Sequence, residues 1–149
     1  MSKKKRFILL FALFAGLFCM YNVFWFISVQ YKYKDYLEAV PEELGVHVQF
    51  DEKDNVTYNV KKPDYLRFTG NLGISDKEGL SLIIWPSLLK SDFAYGVRIQ
   101  NDTGTHEIYI NEKLEAITDY PEDRLIIEKY HNDIEKLFEK AEKKFKILK

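Results

Sequence analysis

Apolar residues follow three successive rhythms in this chain. From Phe7 to Val29 the run FILLFALFAGLFCMYNVFWFISV is apolar all round, interrupted only by Asn22 and Ser28 and free of charge. Between about residues 45 and 110 apolar positions recur every second residue. Beyond residue 120 they recur every third or fourth. The first rhythm predicts a helix for which lipid is the solvent, the second a set of half-buried strands, and the third an amphipathic helix. At about 1.5 Å per residue the first run is roughly 34 Å long, enough to cross a hydrocarbon core about 30 Å thick with some tilt.

A cleaved signal peptide and a permanent anchor both begin with basic residues followed by an apolar stretch. A signal core runs about 7 to 15 residues and ends at small side chains, whereas Phe18, Met20, Tyr21, Phe24, Trp25 and Phe26 continue past Ala15 and Gly16. Length therefore favours the anchor. Lipid attachment at Cys19 is disfavoured by bulky Leu17 and Phe18 before it, and Cys19 reads as a small apolar residue facing lipid. Lys3, Lys4, Lys5 and Arg6 precede the run with no acid among them, which places the N-terminus in the cytoplasm and the remainder outside it. Tyr31, Tyr33 and Tyr36 suit either the headgroup zone or packing on the domain. Pro41 stops any continuing helix, because the residue before proline is driven to extended backbone. The expected organisation is a basic tail over 1–6, a transmembrane helix over 7–29, a short stalk over 30–44 and an extracytoplasmic domain over 45–149.

Within that domain, Val46, Val48 and Phe50 alternate with His47 and Gln49. After the turn DEKDN, Val56, Tyr58 and Val60 alternate with Thr57 and Asn59, which predicts a hairpin. A third strand is expected from about Tyr65 to Ile74, with Leu66 and Phe68 on one face and Gly70 and Gly73 at a bulge or twist. LSLIIW at 80–85 reads as a central strand covered on both faces and ended by Pro86. Phe93, Tyr95, Val97 and Ile99, the turn NDTG at 101–104, and Ile108 with Ile110 predict a second hairpin. Ile127, Tyr130, Ile134, Leu137, Ala141 and Phe145 then mark one face of a helix over 121–148. Asp119 with Glu122 suggests a capping box, and Lys143, Lys144, Lys146 and Lys149 crowd the helix end. The fold class is α+β: an N-terminal transmembrane helix, then an antiparallel sheet of about five or six strands packed against one long C-terminal helix.

Composition narrows the chemistry. Of 22 basic residues in the 149, four lie ahead of the apolar run, leaving 18 against 23 acids, so residues 31–149 carry about −5. That sign argues against a nucleic-acid partner, which requires a basic face. Cys19 is the sole cysteine, so no intrachain disulfide or thiolate zinc cage forms. His47, His106 and His131 lack the i, i+4 spacing of a helical metal pair; His47 and His106 are expected at exposed positions opposite the apolar members of their strands. No cofactor or metal is implied. There is no G-x-S-x-G elbow, and GNLG at 70–73 lacks the lysine and the following helix of a phosphate loop. Glu42 with Glu43 and Glu122 with Asp123 are neighbours in sequence rather than acids facing across a cleft. Asn55-Val56-Thr57 and Asn101-Asp102-Thr103 are formal glycosylation sequons at turns.

Two polar features remain. Arg98, Gln100 and His106 offer a candidate interaction surface on the last hairpin, and the lysine-rich helix end a contact for anionic lipid or polymer. Inside the apolar run, Asn22 is the natural polar contact for another span. The expected function is a non-catalytic, membrane-anchored interaction domain that binds a protein partner or a toxin, of accessory or immunity type. The alternatives are an envelope-acting enzyme using His106 or His47 with a neighbouring acid, and a structural subunit of a membrane complex.

Overall fold

The computed structural model describes residues 2–101 and 104–147, Asn101 through its backbone alone. The loop residues Asp102 and Thr103, and with them the second sequon, lie outside the described residues, as do Leu148 and Lys149. The elements run in the order α1 (Lys3–Ala39), β1 (Glu42–Glu43), β2 (Val46–Asp51), β3 (Val56–Lys61), β4 (Asn71–Ser75), β5 (Leu80–Pro86), β6 (Phe93–Asn101), β7 (Gly104–Ile110) and α2 (Pro121–Phe145). All seven strands form one antiparallel meander in chain order. The α+β class holds, with one strand more than the sequence suggested. The addition is β1, folded back on β2 through Leu44 and Gly45, both at positive φ (52° and 84°).

Both helices contribute to one face of the sheet. Val56, Tyr58 and Val60 of β3, Leu72 and Ile74 of β4, Leu82 and Ile84 of β5, Tyr95 and Val97 of β6, and Ile108 and Ile110 of β7 are buried there. They meet the stripe of Ile127, Ile134, Leu137, Ala141 and Phe145 on α2. Tyr130, expected in that stripe, is half-buried at its margin.

α1 does not end where the apolar run ends. Val29, Tyr33 and Tyr36 are buried in the same core, as is Val40 just past the helix end, so the segment expected to be a stalk is a structural member of the domain. Its ring edges continue the core: Tyr36 stacks edge-on to Tyr33 and to Phe145, and Phe145 in turn to Tyr58. Tyr31, by contrast, is fully exposed. Val40 is extended, and Pro41 follows it as expected.

Several expectations change at the level of the side chain. The register pairs His47 with Val60 and Gln49 with Tyr58, which puts His47 and Gln49 on the helix side and Val46, Val48 and Phe50 on the open side. Alternation cannot tell which face is which. At this edge the inner positions meet helix ends and not an apolar stripe: the His47 imidazole lies 2.8 Å from the Val40 carbonyl through Nδ1, and Lys144 donates to Gln49 Oε1 at 2.8 Å. His106 pairs with Ile99 and so also belongs to the helix side, at an exposed strand end. Only Asn71–Ser75 of the expected third strand pairs as strand. Residues 62–70 form a loop, because Tyr65 and Phe68 find ring partners on α1. Pairing runs without a bulge through Gly73.

β5 lies fifth of the seven strands, and its outer positions are covered by neighbours within the sheet and not by a second layer. The N-cap of α2 is Tyr120, since Pro121 takes the first helical position; Asp119 falls outside it and forms no capping box. Thr118 instead ties down this end, donating to Asp123 Oδ2 and accepting from the Tyr120 amide.

Burial holds the tyrosine hydroxyls protonated. Desolvation pushes the Tyr33 phenol up to about 12, an effect partly offset by the Gly70 backbone, which lies against the hydroxyl without completing a hydrogen bond. Desolvation, with Asp54 and Asp51 nearby, takes Tyr58 to about 12 as well, and burial raises Tyr36 and Tyr95. The folded state therefore holds these protons more tightly than the unfolded chain. Stability is intact below the ordinary tyrosine value of 10 and falls as pH rises from there toward about 12. Chemical denaturation at stepped alkaline pH should show this loss, and Tyr33→Phe should make it shallower. A polypeptide beginning at Ser28 should keep a cooperative thermal transition by circular dichroism. One beginning at Pro41, stripped of Val29, Tyr33, Tyr36 and Val40, should lose it.

Candidate functional site on the open face of the sheet

Among the described residues no helix covers the opposite face of the sheet. Down its middle the outward positions are small or short: Gly73 and Ser75 on β4, Ser81 on β5, and Ala94 and Gly96 on β6. Larger side chains stand on either side, and the result is a trough of about 580 Å³. Asn59, Asn71, Trp85, Arg98, Glu107 and Tyr109 form its walls.

Trp85 lies over Gly96, where a Cβ would come within 2.7 Å of the indole. Its ring is 5.4 Å from that of Tyr109 at 32°, so the indole and phenol make a tilted aromatic wall. Below them Ile83 is 7% exposed, a buried residue on a face without a covering layer. Across the trough the Asn59 amide packs over Gly73, which leaves no room there for a side chain. The hydroxyls of Ser75 and Ser81 sit 2.8 Å apart across the β4–β5 pair.

Arg98 and Glu107 are direct cross-strand partners, and the guanidinium donates from Nη2 and Nε to Glu107 Oε2 at 2.7 and 3.3 Å. Each neutralises the other, so the trough carries dipoles and rings more than net charge. Gln100 lies farther along the same face, its amide N–H bonded to Gly79 O at 3.0 Å. His106 projects on the other side of the sheet. The structure thus brings Arg98 and Gln100 together on one surface and separates His106 from them.

Toward the β2 edge this face continues into Val46, Val48 and Phe50, each at least 40% exposed, with the Lys77 ammonium 5.1 Å above the Phe50 ring. Asn22, expected to reach another span, is occupied within the chain: its amide donates to Phe18 O at 2.7 Å and its carbonyl accepts from the Tyr65 hydroxyl. His131 borders a separate dent beside α2 with Arg124 and Glu128. Among the described residues no three His, Cys, Asp or Glu side chains converge as metal ligands. The paired serines have no histidine on their face of the sheet. Rings, amides, hydroxyls and a neutralised ion pair line the trough.

Comparison with protein-family models, curated protein sequences and solved structures finds no match to this chain.

The Gly96 site gives a direct check on the trough. Gly96→Ala should push Trp85 off the sheet, with a shift in its fluorescence and a stability loss of about 1–3 kcal/mol from overpacking. Thr105→Ser, on the same face but at the far end of the β6–β7 pair from the indole, should leave both unchanged.

Proposed function

We propose that this chain is a membrane-anchored, non-catalytic interaction domain that holds a protein partner on the open face of its sheet. The basic head lies in the cytoplasm, and the α+β domain sits on the other side of the membrane. α1 supports the anchor: it is long and apolar enough to cross a membrane, and none of its most apolar stretch is buried. Retention after insertion is supported by the core itself, because the same helix supplies Val29, Tyr33 and Tyr36 to the domain.

One observation carries the binding role. The sheet keeps Val48, Phe50, Ile83, Trp85 and Tyr109 on a face that no element among the described residues covers. An aromatic wall with an arginine beside it and small side chains between is the composition of a protein contact and not of a solvated surface. Strand addition at the sheet edges is less favoured. β1 already pairs with the start of β2, and the 114–117 segment closes on β7 through Ile117 N to Tyr109 O at 2.8 Å and the Ile110–Ala116 bridge. The accessory or immunity type, with an incoming toxin as partner, is the biological form of this reading.

Photo-crosslinking residues placed at Val48, Tyr109 and Thr105, with Glu135 on the exposed side of α2 as control, test it in native membranes. The three open-face positions should give one adduct of common mass and Glu135 none. Adducts absent from the open face, or equally frequent at Glu135, would sink the proposal.

A further inference from the structure

We infer that the loop over residues 62–70, together with Leu89 in the β5–β6 loop, rests in the interfacial layer of the bilayer and seats the domain directly on the lipid. This rests on the reading of α1 as a membrane span.

The first support is axial level. Tyr65 and Phe68 pack on α1 at Trp25 and Tyr21, with ring centroids 5.5 and 6.1 Å apart. Trp25 Nε1 donates to Arg67 O at 2.6 Å, and the Tyr65 hydroxyl donates to Asn22. A span that begins at Phe7 fills a hydrocarbon core about 30 Å thick after about 20 residues, which puts the far boundary close to Trp25. The loop is therefore held level with the last turns of the apolar run. It does not stand clear of the lipid.

The second support is how the polar groups of this contact are satisfied. Where water is scarce, an amide, indole or hydroxyl needs an internal partner. Asn22, Trp25 and Tyr65 meet that need through one another, Phe18 O and Arg67 O. What this surface turns outward is apolar: Tyr65 is 65% exposed and Leu89 68%, and Leu89 shares an apolar dent with Phe68 and Leu88. Phe24 and Ile27, on the same turns of α1 as Trp25, are exposed as well.

Charge completes the fit. Lys61 at the end of β3 and Lys62, Arg67 and Lys90 in these two loops stand against Asp64 and Asp92. The pairs of Asp64 with Lys61 and Arg67 are long, at 3.8 and 3.9 Å, and exposed, so the cations stay available to lipid phosphates. Aromatic rings, a leucine and a cationic rim are the residue types that settle at the headgroup level.

Nitroxide labels test this in the full chain carrying Cys19→Ser, reconstituted in vesicles of phosphatidylcholine and phosphatidylglycerol. Cysteines at Arg67 and Leu89 report the loops, Phe14 the middle of the span, and Glu78 the far end of the sheet. Collision with oxygen should exceed collision with a water-soluble nickel complex at Phe14, Arg67 and Leu89, with Glu78 reversed. Labels at 67 and 89 that match Glu78 while Phe14 stays in lipid would overturn the seating and leave the anchor standing. A Phe14 label in water would overturn the anchor and the seating together.

Discussion

The burial of α1's last turns against the sheet is the constraint on which the rest of the molecule depends. Val29, Tyr33 and Tyr36 leave the helix on one side and enter the core that α2 and five strands complete. Each buried ring removes about 150–250 Å² from water, which at about 25 cal/mol/Å² is several kcal/mol apiece before entropy is charged. Without a disulfide, this packing and the contacts of the 62–70 loop with Tyr21, Asn22 and Trp25 hold the apolar helix to the domain. α1 runs without a break from the apolar run into the protein core, so it transmits position between them. The domain therefore has a fixed height and tilt relative to the apolar run, which a flexible tether would not impose.

That same placement leaves the sheet asymmetric. With α1 and α2 on one side, the inner face is lined by β-branched and aromatic side chains and the outer face stays open. An antiparallel sheet tolerates this, since one face can be solvated. Most of the outer face meets that expectation with asparagine, serine and threonine. Its departures, Val48, Phe50, Trp85 and Tyr109, occupy area that polar residues would serve better for solubility alone. Gly73 and Gly96 belong to the same design, because each clears space for the side chain of a neighbouring strand. The face is thus both open and shaped.

The polar contacts mark the boundary between these regions. Lys140 donates to Asp54 O and Lys144 to Gln49, so α2's lysines tie its C-terminal half to the β2–β3 hairpin. The helix end that looked free from its charge is in part structural. It also stands at the level of Tyr36, about 14 Å along α1 from Ile27, and so is set apart from the loop that packs at Trp25.

The apolar run, the α+β class, the C-terminal stripe and most strands were legible in the residues, because burial imposes periods of two and 3.6 and lipid imposes none. The small Gly73 and Gly96 were visible too, yet their partners Asn59 and Trp85 lie on other strands, and only pairing brings them together. The alternation in β2 was equally plain, but period two leaves the choice of face open. His47 and Gln49 went inward because the ends of α1 and α2 met them there with polar groups. Local composition likewise made 30–44 a stalk and Asn22 a contact for another span. Distant residues overruled both, since Tyr36 found Phe145 and Asn22 found Tyr65. What a residue needs from its surroundings is written in the chain, but which neighbour supplies it is settled by folding, when segments far apart in sequence become adjacent.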